Sequence, residues 1–219
     1  MIAFELSGEQ KKLQQKIHNR AVKLHPLSLE VDRAGPGPIH KDYLRIIAEE
    51  NLNAFIIPEE YGGRPLDQLT LSLVTEEIGY GCAGLASIYA ATVHAVSAFL
   101  IGGSPEQKKT FLPLLLESEG AVASCCITEE KGGSDTASFK TTARREGDHY
   151  ILSGAKVPII NGGDAVFYVV WASSDTGRGR AGINAFIIPR GTPGVSVSRY
   201  HDKPGLRCAP TVTVSLDDV

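Results

Sequence analysis

Nowhere in this chain do basic residues cluster. Its 22 lysines and arginines are scattered among 25 aspartates and glutamates, for a formal net charge of −3. Without a basic patch it lacks the electrostatic footprint of a nucleic-acid-binding protein. Cysteine is sparse as well. Cys82, Cys125, Cys126 and Cys208 have neither metal-ligand spacing nor the density of a disulfide framework, which points to a reducing compartment: the cytoplasm or, in a eukaryote, the mitochondrial matrix. Cys125 and Cys126 are expected as two thiols on opposite faces of a strand rather than as a vicinal disulfide. Long unbroken apolar runs are also missing. The nearest, Ala83 to Ile101, is interrupted by Ser87, Thr92, His94 and Ser97, so a buried helix is expected there instead of a membrane span. The N-terminal MIAFELSGEQKKLQQ has no charged segment leading into an apolar core, and no secretory leader is expected. No internal repeat or low-complexity tract is present.

What is present divides in two. Ser7-Gly8-Glu9-Gln10 has the form of a capping box opening a helix that should run to about Leu24, and Ser104-Pro105-Glu106-Gln107 repeats it with proline at the first helical position. Between them, Ile39 to Asn51 and Leu66 to Tyr80 carry apolar residues at three and four spacing. Ala83 to Ile101 is apolar nearly all round, so it should lie in the middle of the helices. His94 on that helix reads either as a buried, hydrogen-bonded core histidine or as a residue facing a ligand. From about Gly120 the composition shifts to β-branched residues and glycine turns. Strands are expected at Ala121 to Ile127, Lys140 to Arg145, Tyr150 to Leu152, Val166 to Ala172, Asn184 to Pro189, Val195 to Arg199 and Thr211 to Leu216, with a loop over Ser173 to Arg180. Helices first and strands second make an α+β protein of two domains, residues 1–119 and 120–219.

The segment Ser124 to Gly163 carries the chemistry. Thr128-Glu129 followed by Gly132-Gly133-Ser134-Asp135 is a polar turn at a strand end, where glycines let backbone N–H groups approach an anion and Thr128, Ser134 and Asp135 add side-chain partners. Such a turn suits a flavin or phosphate, and it equally suits an ordinary hairpin loop. Gly147-Asp148 reads as a tight hairpin turn. Ser153-Gly154-Ala155-Lys156 then leads through an apolar run broken by Pro158 to a further turn, Asn161-Gly162-Gly163.

In order and spacing these motifs resemble the middle domain of the acyl-CoA dehydrogenase family, whose pattern is close to T-E-P-x-A-G-S-D, then G-D-x-Y-x-L-N-G-x-K, then I-T-N-G. The resemblance extends to Pro58-Glu59-Glu60-Tyr61-Gly62-Gly63, Glu76-Glu77-Ile78, Glu106-Gln107-Lys108 and Gly205-Leu206-Arg207, and so covers essentially the whole chain. It implies an N-terminal all-α helical domain followed by a β-barrel-like middle domain. It further implies FAD as cofactor, an acyl-CoA thioester oxidised between Cα and Cβ, an electron-transferring flavoprotein or other acceptor, and a homo- or hetero-oligomer. By the same resemblance Cys125, Ile127, Thr128, Gly133, Ser134, Pro158 and Ile160 occupy the flavin-binding positions. Ser134 also stands at the acyl-CoA contact, and Arg180 falls near the family's CoA contacts, where the alternative is an exposed loop arginine. Arg207 is expected to fix domain packing.

The chain departs from the family at several places, among them Glu130 and Lys131, which replace the usual proline and the residue after it. Pro158 stands where the family has an aromatic residue over the flavin, and Ile160 where it has a threonine hydroxyl near N5; Cys125 replaces an aromatic found in many members. The family's C-terminal helical bundle, with its catalytic glutamate, is expected to follow a pair like Asp218-Val219, so no residue here is assigned as the base. Glu129 and Glu130 lie beside the turn at positions that are not the family's base. Three functional readings stay open: the N-terminal and middle portion of an FAD-dependent acyl-CoA dehydrogenase, a non-catalytic relative with weakened FAD binding, and redirection to flavin monooxygenase or nitroalkane chemistry. A chain of this extent is expected to expose apolar surface and to associate with a partner or itself.

Overall fold

The computed structural model describes residues 5–117 and 119–219; the first four residues, with which the segment read for a secretory leader begins, lie outside it. Helix α1 (Gly8–Ala21) starts at the expected box: Ser7 Oγ accepts from the Gln10 N–H at 3.1 Å and Gln10 Oε1 accepts from the Ser7 N–H at 2.9 Å. The helix stops short of Leu24. Val22–Leu24 tightens into a 3-10 turn and a further helix, α2 (His25–Ala34), follows with Pro26 in its first turn. Sequence reading missed α2 because it starts with no side-chain cap, directly out of the preceding turn. Helices α3 (Lys41–Glu49), α4 (Gln68–Gly81) and α5 (Ala83–Gly102) follow, then α6 (Pro105–Phe111) from the second capping box and the short α7 (Leu114–Glu117).

The long apolar helix α5 is not central. One side buries Leu85, Ile88, Tyr89, Val96 and Phe99, whereas His94 and Ser97 are exposed and Ile101 is 88% exposed. His94 is therefore neither a core histidine nor, within these residues, part of an enclosed pocket.

Among the described residues seven strands form a curled mixed sheet: β1 (Ser124–Cys126), β2 (Thr142–Glu146), β3 (His149–Ile160), β4 (Phe167–Ser173), β5 (Ile183–Pro189), β6 (Val195–Val197) and β7 (Thr211–Leu216), in the order β1-β4-β2-β3-β7-β6 with β5 paired to β4. Strand β1 runs parallel to β4, β2 meets β4 at one parallel pair, and the other pairings are antiparallel. The Gly147-Asp148 turn joins β2 to β3 with Gly147 at φ 62°. Strand β3 runs far beyond the expected Leu152. Gly154 stays in the ladder, allowing Thr141 to lie against the strand where a Cβ would meet its Cα at 2.7 Å, and Pro158 sits where the β3–β7 register shifts, so its missing N–H breaks no regular rung. The far end of β3 returns to β1, the Val157 N–H donating to Thr128 O at 2.8 Å, and the sheet closes into a barrel-like shape. The expected loop at Ser173 to Arg180 turns into a 3-10 segment, Thr176–Gly182, that runs on to the start of β5.

Two apolar cores result. One fills the barrel, with Cys126, Leu152, Ile159, Val170, Ile188, Val212 and Val214; the other joins the helices to the sheet through Phe167, Val169, Cys208 and Ala209. Two buried asparagines secure the junction. Asn53 Nδ2 donates to Leu115 O and Ala121 O at 3.1 and 2.7 Å, and Asn161 Nδ2 donates to Ile88 O on α5 and Ala123 O before β1 at 2.8 and 3.1 Å. Asn161 takes the left-handed conformation, φ 64°, that asparagine tolerates better than most residues.

Candidate functional site

The site begins where β1 and β3 converge. Ser124 Oγ donates to Ile160 O at 2.7 Å, so the ends of the two strands lie side by side. Because side chains alternate along a strand, Cys126 and Ile159 enter the barrel core, and Cys125, Ile127, Pro158 and Ile160 project outward. The same face continues across the sheet. Cys125 is paired with Val169, Val169 with Ile187 and Trp171 with Ala185, so the same apolar face runs on through β4 and β5, with Val169 buried beneath the helices and Trp171 half-buried. Five of the seven positions the resemblance assigns to the flavin thus meet here: Cys125, Ile127 and Thr128 at the end of β1, Pro158 and Ile160 on β3. Pro158 is exposed and the others are half-buried.

The polar turn closes the lower end of this surface. Glu129 and Gly132 exchange backbone hydrogen bonds of 2.9 and 3.1 Å, folding 129–132 into a tight turn that leaves Gly133, Ser134 and Asp135 exposed. Gly133 lies by Thr128: a Cβ added there would sit 3.8 Å from Thr128 Cγ2 and touch nothing closer. Space remains for a ligand against the backbone. The 3-10 segments Thr136–Ser138 and Thr176–Gly182 pack together, and Arg180 in the second of them is exposed. Arg207 lies elsewhere, its side chain on Asp202 and its N–H on Asp32 Oδ1 of α2, a contact between the two halves.

Beneath the turn lies a buried ion pair without an assigned role in the sequence reading. Lys156, fully buried on β3, donates from Nζ to Glu129 Oε1 at 2.8 Å and to Ile127 O at 3.0 Å, and the ammonium sits 3.8 Å from the centre of the Phe139 ring. Glu129 also accepts the backbone N–H groups of Lys140 and Thr141 at 2.6 and 3.0 Å. Burial by itself would raise the Glu129 carboxyl, but the hydrogen bonds from Lys156, Thr141 and Lys140 outweigh it and hold the group below its ordinary range. For Lys156 burial wins, and the ammonium is pushed down despite Glu129. Four segments are tied by this pair: the end of β1, the turn, the approach to β2, and β3. Its signal was the lone charged side chain of an otherwise apolar stretch, Ala155 to Ile160.

The two adjacent thiols take opposite roles in packing. Burial pushes Cys126 up to about 12 and raises Cys125 as well, so neither is poised as a thiolate nucleophile. Glu129, 8% exposed and engaged by three donors, is equally unsuited to take a proton from a substrate.

An apolar plate ending in a polar turn with open backbone fits a flat, partly apolar group carrying a phosphate or carbonyl edge. Comparison with known proteins agrees in kind. Residues 7–119 match the acyl-CoA dehydrogenase N-terminal domain and residues 124–219 the acyl-CoA dehydrogenase middle domain. The chain is 34% identical over 216 residues to the cyclohex-1-ene-1-carbonyl-CoA dehydrogenase of Syntrophus aciditrophicus, covering 98% of this chain and 52% of that protein. It superposes on butyryl-CoA dehydrogenase from Megasphaera elsdenii with a TM-score of 0.89 at 30% identity, covering 100% of this chain and 57% of that one. An acyl-CoA dehydrogenase complexed with FAD from Bacillus anthracis gives 0.85 at 30% identity, with coverage of 100% and 38%. The chain spans about half the length of the curated relatives it matches. With both domain models matched in order and over nearly its whole length, the chain belongs to the acyl-CoA dehydrogenase family.

Proposed function

We propose that this chain forms the cofactor- and thioester-binding part of an FAD-dependent acyl-CoA dehydrogenase. The observation that carries the reading is the outward apolar surface at the joined ends of β1 and β3, with the open turn 132–135 at its edge. Ile127, Pro158 and Ile160 bear on the flavin ring, Thr128 and the backbone of Gly133 and Ser134 meet its polar edge and pyrophosphate, and Ser134 with Arg180 receives the CoA moiety. When bound, FAD supplies the hydride acceptor for an α,β-desaturation. This chain's residues align the ring, keep water from one of its faces and hold the thioester against it.

The proton-abstracting carboxylate comes from outside these 219 residues, in a continuation of the chain or in a second subunit. Supporting this, Glu129 is consumed by Lys156, and the outward surface built from β1, β3, β4 and β5 carries no acidic side chain among the described residues. Electrons would leave to an electron-transferring flavoprotein or similar acceptor. One observation favours a second reading, a non-catalytic relative: Pro158 and Ile160 offer the flavin no side-chain hydrogen bond. Anaerobic titration separates the two. The first predicts that bound flavin, in the presence of the chain bearing the base, bleaches on adding an acyl-CoA; flavin that stays oxidised with every acyl-CoA tried supports the second.

A further inference from the structure

The chain's one tryptophan lies on the same outward surface, two strands from Pro158. Strands are spaced about 4.8 Å apart, so β3 and β4, on either side of β1, are separated by roughly 10 Å, a span that a three-ring planar group bridges. Trp171 borders a cleft of about 520 Å³ between this surface and the end of α5, with Val169, Ile187, Phe99 and Gly103. Its indole nitrogen is shielded from solvent and has no hydrogen-bond partner of good geometry, although it lies beside the Cys125 thiol closely enough to favour the thiolate. A buried indole N–H usually finds an acceptor. Here an indole edge, its N–H met by no acceptor but the nearby Cys125 thiol, stands next to a position that the flavin is to cover.

We infer that Trp171 is a flavin-binding residue, supplying from β4 the aromatic contact that Pro158 cannot supply from β3. The inference rests on the proposed FAD site and adds a residue to it. Indole against a flat aromatic system adds roughly 0.5–1.5 kcal/mol beyond area burial, about two- to tenfold in affinity. An aromatic donor in contact with a flavin also quenches its emission by electron transfer, whereas FAD held away from any such donor fluoresces.

The test is FAD titration of the 219-residue chain, followed both by retention of flavin on gel filtration and by the emission of the bound flavin. Expected is a bound flavin of low emission in the wild type. Trp171→Leu should raise that emission several-fold at equal occupancy and weaken binding two- to tenfold, and Trp171→Phe, which keeps a ring in place, should lose less affinity. Circular dichroism and thermal melting of each variant establish that it is folded, and Phe serves where Leu is not. If FAD is retained but neither variant changes its emission or affinity, Trp171 is not in contact and the inference falls with the FAD site intact. If no FAD is retained by the wild type, both fall.

Discussion

At the scale of single residues the most consequential group is Lys156. Removing one partner of a buried pair leaves the other charged and unpaired. Lys156→Met should therefore destabilise the fold by about 3–5 kcal/mol, read as a drop in urea midpoint, and should disorder the turn that begins at Glu129. The pH dependence follows from the carboxylate. Its folded pKa lies below the ordinary value of 4.5, so its contribution is complete above that value and disappears as pH falls through the folded one. Stability of the wild type should decline below about pH 4.5, and Glu129→Gln should flatten this acid limb; an unchanged slope in Glu129→Gln would remove Glu129 from the account. The residue scale is also where sequence reading was weakest. The turn that follows Thr128 was legible because turn chemistry is local. The surroundings of Lys156 and Trp171 were not, since each depends on a partner strand brought alongside by the curl of the sheet.

At the scale of elements, local signals predicted what local forces decide. Both capping boxes open helices where expected, since side chain and backbone within four residues settle the matter. Strand β3 shows the opposite. Gly154 and Pro158 read as breakers, yet the strand passes through both. At Gly154, φ 147°, close packing on Thr141 demands the absence of a side chain, and at Pro158 the shifted register against β7 dispenses with an N–H. Gly154→Ala should consequently cost about 1–3 kcal/mol through overpacking, added to backbone strain. Chemical denaturation checks this, and a neutral substitution would mean that β2 and β3 can separate at little cost. Helix α5 was misjudged for a related reason. Its composition is apolar nearly all round, but composition alone does not say which side the rest of the chain covers, and His94, Ser97 and Ile101 are left exposed.

For the whole molecule, the helical and sheet halves share one core and a small set of buried polar contacts. Asn161 is the hinge of that arrangement, reaching α5 and the entry to β1 from the end of β3. Asn161→Ala should leave the Ile88 and Ala123 carbonyls without this donor and lower stability by about 1–3 kcal/mol. It should also loosen the halves from one another, seen as accelerated limited proteolysis at their junction; a cleavage pattern like the wild type's would show that the apolar core alone holds them. The order of helices before strands made the architecture legible, while the closing of the sheet, which creates the candidate surface, depends on contacts between residues far apart in sequence, such as Ser124 with Ile160, 36 positions on. The central claim is that this surface holds FAD. Equilibrium titration of the chain with FAD, read by flavin absorbance co-migrating with protein, tests it most directly. One FAD bound per chain, and binding abolished when a charge is placed on the surface by Ile127→Asp in a variant that still melts cooperatively, is the predicted result. No retained flavin at saturating FAD, or equal retention by Ile127→Asp, would contradict it.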